Sequence, residues 1–304
     1  MGFRFINKNK LIMILISLFT VAMVVFPKVT EAGSKTAIII WANSIIPVLL
    51  PFFIFSDFIK RAGNLEKLPA RVYPFVIAFL SGYPMGAKIV GDLVGNKTLT
   101  REEGKWVLSY SLITGPAFLA GTIGAFLGSS KAAAVVAGAH YIGALLNGFL
   151  YRGDTVKRKR KGTKIAALPK RDDGGYLEYF TLSITAGFKA MAMILAYLIL
   201  FMIGINLLET AGVFAFIGNE TISSVIKGIF EMTAGSSMIG ACNISLELKV
   251  VLTSFLVSFG GFSVIGQSVS MAEGSGIGLG DIFKMKLTHG LLAGILAVIG
   301  NYLI

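Results

Sequence analysis

The sequence predicts an all-α polytopic membrane protein, with about seven transmembrane helices plus two re-entrant helical hairpins in an inverted repeat. Three observations carry this expectation. Of 304 residues, 55% are hydrophobic before the 36 glycines are counted, only 14% are charged, and the mean hydropathy is +0.76; a soluble domain holds roughly 25% charged residues. Charge-free runs of about 20 residues recur along the chain, the length that crosses ~30 Å of hydrocarbon at ~1.5 Å per residue. Two stretches in opposite halves also break at small residues in the same order. A soluble globular domain is excluded, and the net charge of +12 reads as topology. A nucleic-acid partner would need a polar basic domain, and the one basic stretch, Arg152 to Arg171, is short. The single cysteine, Cys242, excludes an intrachain disulfide and a cysteine-rich metal site.

The elements follow in order. Arg4, Lys8 and Lys10 precede the apolar run Leu11 to Phe26 as in a signal peptide, but Thr30-Glu31-Ala32 is a poor cleavage site. An uncleaved first helix with a cytoplasmic N-terminus is expected, followed by a second over Thr36 to Ser56. The run Val72 to Ala87 breaks at Ser81-Gly82-Tyr83-Pro84, which leaves about 12 residues, or ~18 Å, before the break. That reaches the bilayer midplane, and Gly86 to Leu93 runs back as the second arm of a hairpin. Helices over Trp106 to Ser130, Ala132 to Tyr151 and Ala190 to Leu208 come next. Thr221 to Glu247 repeats the hairpin with a break at Ala234-Gly235-Ser236-Ser237, and Val250 to Ala272 and Leu287 to Ile304 complete the chain. Loop charge supports this choice, because Lys and Arg favour the cytoplasmic side. It puts 23 of 28 basic residues inside, including Lys157 to Lys161, Lys284 and Lys286, and leaves Lys28, Lys35, Lys131, Lys227 and Lys249 outside. The resulting organisation is two N-terminal helices (1–71), a first repeat (72–151), a basic cytoplasmic loop (152–175), a connecting helix (176–220) and a second repeat (221–304).

The repeat aligns Ser81 to Ala87 with Gly235 to Ala241, Leu108 to Phe126 with Leu252 to Met271, and His140 to Tyr151 with His289 to Tyr302. Paired discontinuous helices in inverted repeats point to a secondary transporter with a midplane site. Each break sets a helix N-terminus at membrane depth, where free N–H groups and a partial positive charge suit a carboxylate or another acceptor. The expected substrate-binding set is Ser81, Gly82, Tyr83, Pro84, Lys88, Thr114, Gly115, Pro116, Gly235, Ser236, Ser237, Gly261, Ser263 and Gln267. Lys88 is a candidate counter-charge, with snorkelling or pairing to Asp92 as its alternatives. Glu231 is the candidate for a coupling proton or sodium, and Asn43 and Ser44 are further polar candidates. His140 and His289 read as hydrogen-bonding residues near the membrane edges. The stretch from Gly274 to Gly280 lacks a phosphate-loop lysine and reads as a flexible inner loop. No catalytic residue, metal or cofactor is expected. The expected partners are the bilayer and a small anionic solute, with no nucleic acid, and self-association is left open.

Ser81-Gly-Tyr-Pro-Met-Gly-Ala-Lys88, Gly115-Pro116, His140-Tyr141, Glu231-Met-Thr and Gly260-Gly-Phe-Ser-Val264 with Gln267 together resemble the YlbJ family of sporulation integral membrane proteins, over about residues 40 to 304. The family belongs to a wider group with a nucleoside-recognition gate domain, and its hairpins resemble those of concentrative nucleoside transporters. The resemblance implies movement of dipicolinic acid, a pyridine dicarboxylate, across a forespore membrane. Nucleoside transport and a non-transporting scaffold for spore-envelope assembly are the alternatives. The family pattern has Asn where this chain has Gly115, and His-Ala where it has Ile265-Gly266, so two polar ligands of that pattern are absent.

Overall fold

The computed structural model describes residues 8–63, 68–153 and 175–303, and every regular element among them is helical. The basic cluster Lys157 to Lys161 and Arg4 lie outside the described residues. Helix α1 (Lys8–Val25) stops at Phe26, and Pro27 opens α2 (Pro27–Ile40) in the first turn, where a missing N–H costs nothing. α2 passes through one wide π turn (Trp41–Ile45) into α3 (Ile46–Ala62). The turn precedes Pro47, which cannot donate to the ladder, and the Ile46 N–H bonds Trp41 O instead. The second helix therefore runs from Pro27 to Ala62, not from Thr36, and Thr30-Glu31-Ala32 lies inside it. Helix α9 (Tyr176–Thr210) is likewise longer than the expected Ala190 to Leu208. It packs antiparallel on α2 and α3: Gly33 backs onto Ile203, Gly187 onto Ile54, and the Trp41 indole donates to Met191 O at 3.0 Å.

Against this scaffold sit two similar units. The first holds α4 (Tyr73–Ser81), α5 (Tyr83–Gly95), α6 (Arg101–Ser111), a non-helical stretch at 112–115, a π turn (Phe118–Ile123) leading into α7 (Gly124–Leu127), and α8 (Ser130–Leu150). The second holds α10 (Glu220–Phe230), α11 (Met232–Ala241), α12 (Leu246–Phe259), α13 (Gly261–Met271) and α14 (Leu279–Gly300). Side-chain caps from Thr100, Ser129, Asn219 and Ser245 start α6, α8, α10 and α12. Five helical stretches are long and apolar enough to cross a membrane: Pro27–Ala62, Ser130–Leu150, Tyr176–Thr210, Leu246–Met271 and Leu279–Gly300. By contrast α4, α5, α10 and α11, with 9, 13, 11 and 10 residues, reach no more than ~20 Å each.

The two units meet through α8 and α14, which pack antiparallel: Val135 faces Gly300, His140 faces His289, and Asn147 donates to Met285 O at 3.0 Å. Each hairpin lends its second arm to the other unit. Gly91 of α5, nine residues beyond Gly82, lies against Met271 O of α13, eleven beyond Gly260; Gly240 of α11, nine beyond Glu231, lies against Phe126 O, eleven beyond Gly115. This register equates Gly82 with Glu231. It keeps the expected match of Phe126 with Met271 and shifts the expected match of Ser81 to Ala87 with Gly235 to Ala241 by five residues. The loop at Gly274 to Gly280 is pinned, since Gly276 O accepts from Arg101 Nε at 2.8 Å and Ser275 Oγ donates to Ala272 O at 2.6 Å.

Candidate functional site

Four interruptions of helix shape the centre of the molecule. Gly82, at φ 78° and ψ −173°, ends α4 and starts α5 in a conformation open essentially to glycine. Residues 112–115 leave helix before Pro116 restarts it, and Pro84 and Pro116 both occupy first-turn positions that need no donor. Glu231, extended at φ −141° and ψ 111°, separates α10 from α11 and caps α11, accepting from the Ala234 N–H at 2.7 Å. Gly260 and Gly261, at φ 82° and φ 68°, divide α12 from α13.

The breaks touch in pairs. A Cβ on Gly115 would meet Phe79 O at 3.4 Å, and one on Gly82 would lie 3.9 Å from Gly115 N. One on Gly261 would meet Phe230 O and Met232 N at 3.1 Å each. The first three border one cavity of about 80 Å³, which Val264 and Gln267, just past the fourth, also line; its polar wall is Ser81, Thr114, Glu231, Thr233 and Gln267. Phe52 and Phe53 of α3, Tyr83, Phe118 and Tyr197 of α9 supply aromatic walls. By the same measure one water needs ~10–15 Å³, so the space holds several. Glu231 is the one carboxylate on this wall, and among the described residues no cation pairs with it. Its Oε1 is 3.5 Å from Ser263 Oγ, which ties the third break to the fourth.

Behind the cavity, side chains satisfy the backbone groups that the breaks set free. The Thr114 N–H donates to His140 Nε2 at 3.1 Å, so His140 carries its proton on Nδ1 and donates it to Ser258 Oγ at 2.8 Å. Tyr141 Oη donates to Thr114 O at 3.1 Å, Tyr83 Oη donates to Val257 O, and Lys286 Nζ donates to Leu112 O at 3.1 Å. His289 Nε2 donates to His140 O at 2.8 Å. An unpaired buried backbone group costs ~1–3 kcal/mol, so the partners of Leu112, Thr114 and Val257 hold the breaks open.

Several expectations change. The second hairpin breaks at Glu231, and Gly235, Ser236 and Ser237 lie inside α11. A Cβ on Gly235 would sit 2.1 Å from Gly228 Cα, so Gly235 serves close packing between α10 and α11, and the buried Ser236 Oγ has no partner. Lys88 is exposed on α5 and does not border the cavity; no ion pair joins it to Asp92. Asn43 is exposed, and Ser44 offers only its carbonyl, to Thr122 Oγ1 at 2.7 Å. Pro116, Gly261 and Ser263 lie beside the breaks without lining the cavity, whereas Ser81, Gly82, Tyr83, Thr114, Gly115 and Gln267 line it; the side chain of Pro84 lies outside the described residues. His140 and His289 are in the middle of their helices, 0% and 1% exposed, with ring centroids 4.8 Å apart, and are not at the membrane edges. Lys286 is not in an inner loop: it is 1% exposed and its ammonium lies 4.2 Å from the Tyr83 ring centroid.

Long apolar helices around a central cavity define a multi-pass integral membrane protein. The chain is 24% identical over 344 aligned positions to the sporulation integral membrane protein YlbJ of Bacillus subtilis (strain 168), a match that covers 96% of this chain and 84% of that protein. The match supports membership of the YlbJ family. No family model matches the chain, and no solved structure does.

Proposed function

We propose that the protein is a transporter that carries a small solute across a membrane through the cavity between the four breaks. The observation that carries this reading is the convergence of three breaks, with the first turns of α13 past the fourth, on one space, where the breaks offer backbone groups that helix would otherwise consume. Seven segments cross the bilayer: α1, α2 with α3, α6 with α7, α8, α9, α12 with α13, and α14. The pairs α4–α5 and α10–α11 are re-entrant hairpins, since their arms are too short to cross ~30 Å. The antiparallel packing of the equivalent helices α8 and α14 supports an inverted repeat.

The substrate is a small anionic, planar solute, with dipicolinate the leading compound because the relative's name ties it to sporulation. The aromatic walls suit a planar ring, and the helix starts at Tyr83 and Pro116 direct partial positive charge toward the cavity. In its closed form the cavity is too small for a pyridine dicarboxylate, so loading requires the tips to part. Glu231 takes up the coupling proton, or sodium, that accompanies the anion. The N-terminus is cytoplasmic and the membrane is that of the forespore. One observation favours a second reading, a nucleoside or nucleobase: among the described residues no cation lines the cavity, and Gln267, Thr114 and Ser81 suit a neutral planar solute.

The test is uptake of labelled dipicolinate by the purified protein in proteoliposomes, under an inward proton or sodium gradient. Accumulation above protein-free liposomes, lowered by Thr114→Val, is the expected result. Uptake equal to protein-free liposomes sinks the reading, and accumulation of uridine in place of dipicolinate moves it to the second.

A further inference from the structure

Lys286 is fully buried in α14 and has no carboxylate partner among the described residues. It touches three of the four breaks. Its Nζ donates to Leu112 O, its ammonium lies over the Tyr83 ring, and its Cε is 3.2 Å from where a Cβ on Gly260 would stand. Tyr83 borders the cavity and Lys286 does not, so the Tyr83 ring is the partition between the ammonium and the cavity. Support of the break alone does not call for an ammonium. A neutral phenol caps the carbonyl two residues on, Tyr141 to Thr114 O. The corresponding place in the first unit, three residues before the histidine, is Ala137. A charge at membrane depth is costly and is retained where it is paired or used. Glu231 borders the same break from the other side, through Met232 N and Gly261, and is equally unpaired.

We infer that Lys286 is the charge-selecting residue of the cavity: its ammonium, one ring away, sets a positive potential that favours a solute bearing a carboxylate over its neutral isostere. The inference rests on the reading of the cavity as a solute site, and it assigns to Lys286 the role that the sequence offered Lys88. Lys286 acts through space and through Tyr83, and is a positioning residue.

Binding to the purified protein in detergent, measured separately from uptake, tests it with dipicolinate and its neutral diamide as probes. Wild type is expected to bind the dianion about tenfold or more tighter than the diamide. Lys286→Gln keeps a donor for Leu112 O; it should abolish that preference by weakening dianion binding alone, and Lys286→Arg should keep it. Loss of affinity for both probes in equal measure marks a merely structural role and overturns the inference, as does a preference that survives in Lys286→Gln. If Lys286→Gln does not fold, the wild-type preference and its retention in Lys286→Arg decide, and their absence overturns it. Binding with charge preference but no uptake would remove the transport reading and leave this inference standing.

Discussion

Glu231 uses its two oxygens differently. Oε2 caps α11 through the Ala234 N–H, while Oε1 faces Ser263 at 3.5 Å and the cavity. Glu231→Gln preserves an acceptor for Ala234 and removes the charge, whereas Glu231→Ala also removes the cap, at about 0.5–2 kcal/mol. Glu231→Gln is therefore expected to melt close to wild type and to exchange solute across the membrane, but not to accumulate it against a gradient. Gradient-driven accumulation by this variant, read as uptake with and without the ion gradient, would remove the coupling role. Lys88→Ala, by contrast, is expected to change uptake by no more than about twofold, as for a surface change of ~0.5 kcal/mol. Both lysines show where residue-level reading succeeds and fails. The motif Gly-Tyr-Pro located the break at Gly82, but Lys88 is five residues past Tyr83, about 140° around a helix of 3.6 residues per turn, and so leaves the cavity face. Lys286 escaped notice because a search for charge-free runs starts the last helix at Leu287, eight residues after α14 begins. Such a search is blind to a charge buried among neighbouring helices.

At the scale of elements, the glycines divide into those that set backbone shape and those that allow contact. Gly82→Ala forces an L residue into φ 78°, ψ −173°, at a cost of about 1–3 kcal/mol. Gly240→Ala would place its Cβ 2.3 Å from Phe126 O and push α11 from α7, again about 1–3 kcal/mol by overpacking. Gly138, inside α8, has nothing within 4 Å of its Cβ position, so Gly138→Ala is expected to be neutral or to gain about 0.5–1 kcal/mol from reduced backbone freedom. Thermal unfolding of the three variants in one detergent checks the order, and a Gly240→Ala protein as stable as Gly138→Ala would remove the close-packing account. The same division explains the misplaced second break. Gly235-Ser-Ser has the composition of a break, yet Gly235 sits against Gly228 and the chain stays helical. The true break falls on Glu231, an N-cap residue whose carboxylate satisfies the freed donor. Gly115 and Gly260 were legible because neither is used, as Gly235 is, for close contact between the two arms of a hairpin.

At the scale of the molecule, the proposed opposed direction of the units rests on the antiparallel crossing of α8 and α14 and on the exchange of hairpin arms. The order of elements was readable from charge-free runs and glycine breaks, but their lengths were not. Polar residues such as Lys28, Glu31 and Lys35 sit within α2, where Glu31 and Lys35 pair at 2.6 Å across one turn, and such pairs let a helix extend beyond its apolar run. If the hairpins re-enter from opposite faces, both ends of the first hairpin share one side of the membrane and both ends of the second share the other. The native Cys242 is buried and therefore silent to an impermeant maleimide, which permits single-cysteine labelling. Pro69→Cys and Gly95→Cys mark the two ends of the first hairpin, and Gly218→Cys and Asn243→Cys those of the second; all four positions are exposed. In vesicles of known orientation the first two are expected to label only from the cytoplasmic side and the last two only from the opposite side, because Lys and Arg cluster by the first hairpin's ends. Labelling of Pro69→Cys and Gly95→Cys from different sides would make α4 and α5 a full crossing. Labelling of all four from one side would mean that the units are not inverted, and a cavity between them would then have no symmetric partner state to which it opens.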